Sequence, residues 1–169
     1  MERFATERLT AERLRQDHLA DLVALHLDPV VSRYLGGVRS PEATAAYLAA
    51  AMAHWDRHGF GLWALRTGAG EFAGRAGIRR AAIGGADEFE ILYTFRRELW
   101  GRGLASEIVT ALTAMARSEL GIASLVGLVA TGNEASCRVL EKFNFTRERT
   151  MLSRGEPVTV FRSPAWRKT

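Results

Sequence analysis

A single cysteine, Cys137, is all the thiol chemistry available to this chain of 169 residues. No intramolecular disulfide can form, and a reducing compartment is the natural setting. Long apolar runs are missing as well, so nothing reads as a membrane span. The first fourteen residues carry Glu2, Arg3, Glu7, Arg8, Glu12 and Arg13 and therefore lack the apolar centre of a secretory signal. The expectation is a cytoplasmic protein with no membrane partner. No repeat, low-complexity stretch or break in composition divides the sequence, whose length suits one domain, 1–169. Dense basic tracts with interleaved aromatics are absent too, which argues against direct nucleic-acid binding. The net charge of +4 is scattered among acids. Its excess is arginine-heavy and suits anionic ligands such as phosphates. His54 and His58 stand four residues apart, but no third ligand joins them at a recognisable spacing, so no metal is expected.

What is present is a globular composition, 47% apolar and 25% charged, spread through alternating strand and helix patterns. Arg8 to Leu14 reads as a strand, and Leu19, Leu22, Val23 and Leu27 recur at helical spacing after Asp17, a candidate N-cap. Asp28-Pro29 starts a short helical turn. Ser40-Pro41-Glu42 opens a longer helix whose stripe is Tyr47, Leu48, Ala51, Met52 and Trp55, ending by Gly59. Strands near Gly61 to Arg66, Glu71 to Arg80 and Glu88 to Phe95 read as an antiparallel meander. A helix after Gly103 buries Leu104, Ile108, Leu112 and Met115. Ser124 to Ala130 is a strand, Glu134 to Phe143 a helix capped by Asn133, and Phe145 to Leu152 and Val158 to Arg162 are closing strands. The order β-α-α-β-β-β-α-β-α-β-β is that of one interleaved α/β unit.

The stretch richest in chemistry is Phe89 to Phe95 followed by Leu99-Trp100-Gly101-Arg102-Gly103-Leu104-Ala105-Ser106. A strand runs through a glycine turn into a helix, where the first backbone N–H groups lack internal partners and the helix dipole favours an anion. Gly101 and Gly103 permit backbone conformations and close approaches barred to other residues. No further G-x-x-G completes a dinucleotide fingerprint, and no Gly-Lys-Ser/Thr completes a P-loop. Glu90 alternates against Phe89, Ile91, Tyr93 and Phe95 and so points away from their layer, towards a cleft side shared by its neighbour in parity, Glu88.

Trp100-Gly101-Arg102-Gly103-Leu104-Ala105 resembles the acyl-coenzyme A motif of the GNAT acetyltransferase superfamily, Q/R-x-x-G-x-G/A, with tryptophan in place of the opening Gln or Arg. The Trp-Gly-Arg-Gly turn is similar to that of the branch of ribosomal-protein N-terminal acetyltransferases (RimJ/RimL-like). Thr6-Glu7-Arg8-Leu9, Gly59 to Ala64, Asn133 to Ser136 and Leu140 to Phe145 extend the likeness along nearly the whole chain. The resemblance implies a mixed, splayed, mostly antiparallel sheet flanked by helices, with acetyl-CoA as co-substrate. It implies that Trp100, Gly101, Arg102, Gly103, Leu104, Ala105 and Ser106 cradle the pyrophosphate, that Phe95 supplies backbone contacts, and that Asn133 meets the pantetheine arm. Relatives often pair, so a homodimer is an expectation.

The same resemblance sets Glu90 beside the thioester, where its carboxylate would take the ammonium proton of an amine, directly or through a water. Many relatives carry a tyrosine acid seven residues after the asparagine; Leu140 stands there. The branch likeness instead puts Ser136 near the sulfur, either as a hydrogen-bond donor to the leaving group or as a helix-start residue only. Cys137 reads as a small buried apolar residue, since no histidine lies near it in sequence. The activity implied is transfer of acetyl to a primary amine, a protein N-terminus or a small molecule, by direct attack in a ternary complex. The alternative is a catalytically silent acyl-CoA-binding module. The segment Leu27 to Val38 and the surroundings of Trp63, expected to line the acceptor pocket, show no decisive charge.

Overall fold

The computed structural model describes residues 1–166. Strands β1 (Arg3–Ala5) and β2 (Leu9–Arg13) precede helices α1 (Leu19–Leu27), α2 (Pro29–Ser32) and α3 (Pro41–His58). Strands β3 (Leu62–Thr67), β4 (Phe72–Ile83) and β5 (Ala86–Phe95) follow, then α4 (Leu104–Ser118), β6 (Val126–Ala130), α5 (Glu134–Lys142), β7 (Thr146–Ser153) and β8 (Glu156–Arg162). All eight strands join one sheet in the order β1-β2-β3-β4-β5-β6-β8-β7. Every pairing is antiparallel except β5 with β6.

Period-two alternation gives the sheet two covered faces. Leu62 and Ala64 share one layer with Leu22 and Leu25 of α1 and Leu48 and Ala51 of α3. Trp63 and Leu65 share the other with Ile108, Val109 and Leu112 of α4. α3 starts and stops where its caps dictate. The Ser40 hydroxyl accepts from Ala43 N–H at 3.1 Å, Pro41 holds the first turn, and Gly59 takes φ +73° after the last.

The expected order needs two corrections. Strand β1 was not foreseen: it is three residues at the sheet edge, too short and too charged to show alternation, and is held in part by Arg13 N–H donating to Glu2 O at 2.8 Å. Asp17 is not the cap of α1. A single 3₁₀ turn, Gln16–His18, intervenes, and the His18 Nδ1 takes the Arg15 N–H at 2.9 Å while Asp17 stays exposed.

The feature that positions the site is a split in the sheet. β5 is paired with β4 from Ala86 to Phe95, yet its other edge meets β6 at one register point, Glu90 opposite Val126. Beyond Glu90 the two parallel strands diverge, leaving the β6-facing edge of Ile91 to Phe95 without a strand partner. The wall behind that edge is tight: a Cβ on Gly74, whose φ is +153°, would lie 2.1 Å from Thr94 O, so only glycine lets β4 approach here.

Candidate active site

β5 leads through Trp100 to Gly103 into α4. Gly101 and Gly103 adopt φ of +72° and +76°, left-handed values that explain both glycines. Helix α4 has no side-chain N-cap, and its first internal bond is Glu107 N–H to Gly103 O. The N–H groups of Leu104, Ala105 and Ser106 are therefore unspent, and open space lies beyond Gly101, where an added Cβ would touch nothing within 4 Å. These groups border a cavity of about 450 Å³, which Arg102, Arg138 and Lys142 also line.

The turn is braced from outside. The Trp100 indole N–H donates to Phe95 O at 2.9 Å, so that carbonyl, expected to meet a ligand, is engaged by the tryptophan. Arg8 donates to Arg102 O at 2.7 Å and pairs with Glu107 at 2.7 Å. Burial would raise the Glu107 carboxyl, but hydrogen bonds from Thr6 and Arg8 outweigh it and hold the group below its ordinary value. Leu104 is buried in the core, which confines its part in the cradle to backbone.

A second cavity, about 180 Å³, lies on the other side of the split and contains Glu90, Arg79, Arg75, Arg39 and Tyr47 in its wall. The two cavities share Tyr34, Leu35, Tyr93, Thr94, Asn133 and Ser136. Tyr34 bridges the opening, donating to Gly132 O at 3.1 Å. Glu90 is buried at the base of the split, and its Oε2 accepts from Arg79 Nε at 2.6 Å, leaving Oε1 without a protein hydrogen bond among the described residues. The Asn133 side chain caps α5 by accepting from Ser136 N–H at 3.3 Å. Capping thus falls to Asn133, and the Ser136 hydroxyl lies beside the Tyr93 phenol.

Tyr93 is a site residue that sequence patterning assigned only to a core layer. Burial pushes its phenol up to about 12, with the Ser136 hydroxyl beside it pulling the other way. Its Oη is buried yet makes no hydrogen bond of normal geometry. Of the stretches expected to line an acceptor pocket, Leu27 to Val38 reaches the smaller cavity at Tyr34, Leu35 and Gly36, while Trp63 does not. Trp63 is enclosed in the core against Phe4 and Trp55, and the charged residues lining the smaller cavity are Arg39, Arg75, Arg79 and Arg154 with Glu90 and Glu156. Arg39 lies one residue past Leu27 to Val38, and β4 alternation carries Arg75 and Arg79 to the same face, a pattern visible in the spacing of the two arginines.

Leu140 is buried, its Cδ1 so near Gly127 that a Cβ there would come within 2.7 Å. Cys137 is buried and its thiol is pushed up by burial, as an apolar residue's would be. His54 has both ring nitrogens engaged, Nδ1 with Phe60 O and Nε2 with Arg80 N–H, each at 2.9 Å. It braces α3 against β4. Among the described residues no cluster of three His, Cys, Asp or Glu could hold a metal, and no helix is long and apolar enough to cross a membrane.

A sheet opened beside an uncapped helix N-terminus, with cavities meeting at the opening, can seat an anionic group on backbone N–H donors next to a second, smaller pocket. The chain belongs to the GNAT acetyltransferase family, matching the acetyltransferase (GNAT) domain over residues 8–146. It is 28% identical over 153 residues to the uncharacterized N-acetyltransferase YoaA of Bacillus subtilis (strain 168), covering 85% of this chain and 82% of that one. An acetyltransferase from Agrobacterium tumefaciens str. C58 superimposes with a TM-score of 0.83 at 26% identity, over 96% of this chain and 94% of that one. RimL, the ribosomal L7/L12 α-N-protein acetyltransferase solved with coenzyme A, does so with a TM-score of 0.78 at 20% identity, over 97% and 98%. This protein is an N-acetyltransferase, and acetyl-CoA is its co-substrate.

Proposed function

We propose that the chain transfers acetyl to a primary amine by direct attack, with both substrates bound at once. One observation carries this reading: the two cavities, one bordered by the free N–H groups of α4 and the other by Glu90, meet at Tyr93, Thr94, Asn133 and Ser136. An acceptor and a donor each have a place, and their reacting ends face one another across the split.

The residues present fit acetyl-CoA. Leu104 to Ser106 offer backbone donors for the pyrophosphate, and the unpaired edge of Ile91 to Phe95 offers a strand-like partner to the amide-bearing pantetheine arm. When bound, the thioester supplies an activated acetyl group. Backbone N–H groups on the open edge of β5 stabilise charge developing on the carbonyl oxygen. Glu90 Oε1 takes a proton from the amine, directly or through one water, while Arg79 holds the carboxylate in place. Ser136 and Tyr93 stand on the leaving-group side, and the Ser136 hydroxyl donates to the departing thiolate.

Initial rates with varied acetyl-CoA and varied amine test the order of events. Intersecting double-reciprocal lines are expected. Parallel lines would mean an acyl-enzyme and overturn direct attack; an intact thioester in a pool of primary amines would overturn transfer to amines altogether.

A further inference from the structure

The wall of the smaller cavity holds more positive charge than its carboxylates neutralise. Arg79 is matched by Glu90. Arg75 and Arg39 form no ion pair among the described residues, although Arg75 is only 3% exposed. Both guanidiniums lie over the Tyr47 ring, Arg39 at 4.8 Å and Arg75 at 4.9 Å from its centroid. Each also reaches the same ring nitrogen, His26 Nε2, from Arg75 Nε at 3.4 Å and from Arg39 at 3.5 Å.

That nitrogen faces two groups that can only donate, so it is an acceptor, and the proton sits on Nδ1, which donates to Thr44 Oγ1 at 3.0 Å. Burial, and then the charges of Arg75 and Arg39, bring His26 down to about 3, so the ring is neutral near physiological pH. It orients two cations without offsetting their charge. Burial, and next the charge of Arg75, pull Arg39 down to about 10, which still leaves it protonated at neutral pH. The Tyr47 hydroxyl is buried and has no hydrogen-bond partner among the described residues.

We propose that the acceptor is a small amine bearing an oxyanion, a carboxylate or a phosphate, which seats on Arg39 and Arg75 beside the Tyr47 hydroxyl. The proposal rests on the reading that the cavity containing Glu90 takes the amine. Two desolvated guanidiniums without a carboxylate are unfavourable in the empty pocket, and an anion reverses that by accepting from their remaining N–H groups. Arg75 and Glu90 line the same cavity, so one small molecule can present an anion to the first and an amine to the second. The cavity of about 180 Å³ holds roughly six waters at ~30 Å³ each, the bulk of an amino acid. Polycationic acceptors meet like charge here and are excluded. The phosphates of coenzyme A have their own basic border at Arg102, Arg138 and Lys142 in the other cavity.

The test measures binding separately from turnover. Protein loaded with coenzyme A is titrated calorimetrically with N-acetylglycine, N-acetylglycinamide and N-acetylaminomethylphosphonate, the arms that separate carboxylate, neutral and phosphorus-centred oxyanion. At least one anion is expected to bind tenfold or more tightly than the amide. Arg39→Gln, on a half-buried side chain, is expected to shrink that ratio to under threefold, and Tyr47→Phe to shrink it partway. Equal affinity for acid and amide, no binding of either, or an undiminished ratio in folded Arg39→Gln would overturn the proposal. So would efficient acetylation of a peptide with an acid at its second residue when neither small anion binds. If an anion binds selectively and no amine releases thiol from acetyl-CoA, the transfer reading fails and the oxyanion seat stands.

Discussion

The two cavities on either side of the split are made of different material. At the mouth of α4 the larger offers backbone, the free N–H groups of Leu104, Ala105 and Ser106, among side chains that include Arg102, Arg138 and Lys142. The smaller is walled by side chains brought from α3, β4, β5 and the approach to α3, among them Tyr47, Arg75, Glu90 and Arg39, with His26 of α1 buried behind Arg75. In the proposed function, backbone donors recognise what every acetyl-CoA molecule shares, so one local turn suffices. On the same reading, side chains from four places recognise what differs between acceptors, and each can change without disturbing the turn.

The sharpest break in that comparison lies at Glu90. If it removes the amine proton, Glu90→Gln keeps an oxygen for Arg79 and loses proton acceptance, so kcat should fall by roughly 10²–10⁴ near neutral pH with acetyl-CoA affinity retained. Raising the pH should recover part of the loss, because more amine then arrives neutral. Parallel pH–rate profiles of similar height for the two proteins would exclude Glu90. The neighbouring Glu88 is a poor substitute, since Arg162 holds both its oxygens, at 2.6 and 3.2 Å.

Ser136→Ala tests the meeting point of the two cavities. A hydrogen bond to a charged group contributes about 1.5–3 kcal/mol, so turnover should drop by roughly tenfold to a hundredfold with little change in the apparent acetyl-CoA constant. Thermal stability should hold, because Asn133 supplies the cap. Full turnover in this variant would leave Ser136 with no part in leaving-group departure.

On the backbone side, Gly103→Val places a β-branched residue at φ +76°. Either the turn keeps its shape at a stability cost of about 1–2 kcal/mol, or it relaxes and acetyl-CoA affinity falls by a comparable factor, roughly 5- to 30-fold. Differential scanning calorimetry and acetyl-CoA titration together separate the two outcomes. A variant unchanged in both would refute the cradle.

The smallest effect expected is a slope. His26 has a folded-state value of about 3, below the ordinary 6.5, so the unfolded chain takes up its proton first as pH falls. The stabilisation is complete above about 6.5 and is lost progressively as pH falls towards 3. Between pH 7 and 5, above most carboxylate titrations, the melting temperature should decline with acidification, and His26→Gln should flatten that decline. His54, lowered in the same direction by burial, leaves a residual slope. An identical slope in the variant would mean that His26 is not held neutral.

Legibility in the sequence followed the range of the interactions. The caps of α3 and α5, the strand and helix periods, and the Trp100 to Ser106 turn are set by residues within a few positions of one another, and all were readable. Asp17 misled because a polar residue before an apolar stripe is an ordinary cap signal, while the group that takes the bond is a histidine ring folded back by a 3₁₀ turn. β1 escaped because a three-residue edge strand is defined by its partner, Leu9–Arg13, more than by its own pattern. Tyr93 was assigned by parity to a core layer, and nothing local told that its hydroxyl would lie at the junction of two cavities.

By itself the sequence determined the interleaved α/β order, the helix mouth with its unspent N–H groups, and the face of β5 on which Glu90 lies. These follow from φ/ψ preferences, hydrophobic period and unsatisfied helix-end N–H groups, all of which act over short stretches of chain. Only the tertiary structure decided that β5 and β6 part just beyond Glu90, that Arg79 occupies one of its carboxylate oxygens, and that Arg39 and Arg75 converge on one neutral histidine without a carboxylate. Those facts depend on how residues up to 49 positions apart, as His26 and Arg75 are, share a desolvated space. Charge in such a space is governed by what surrounds it in three dimensions, and neither the order of residues nor the net charge of +4 reports that.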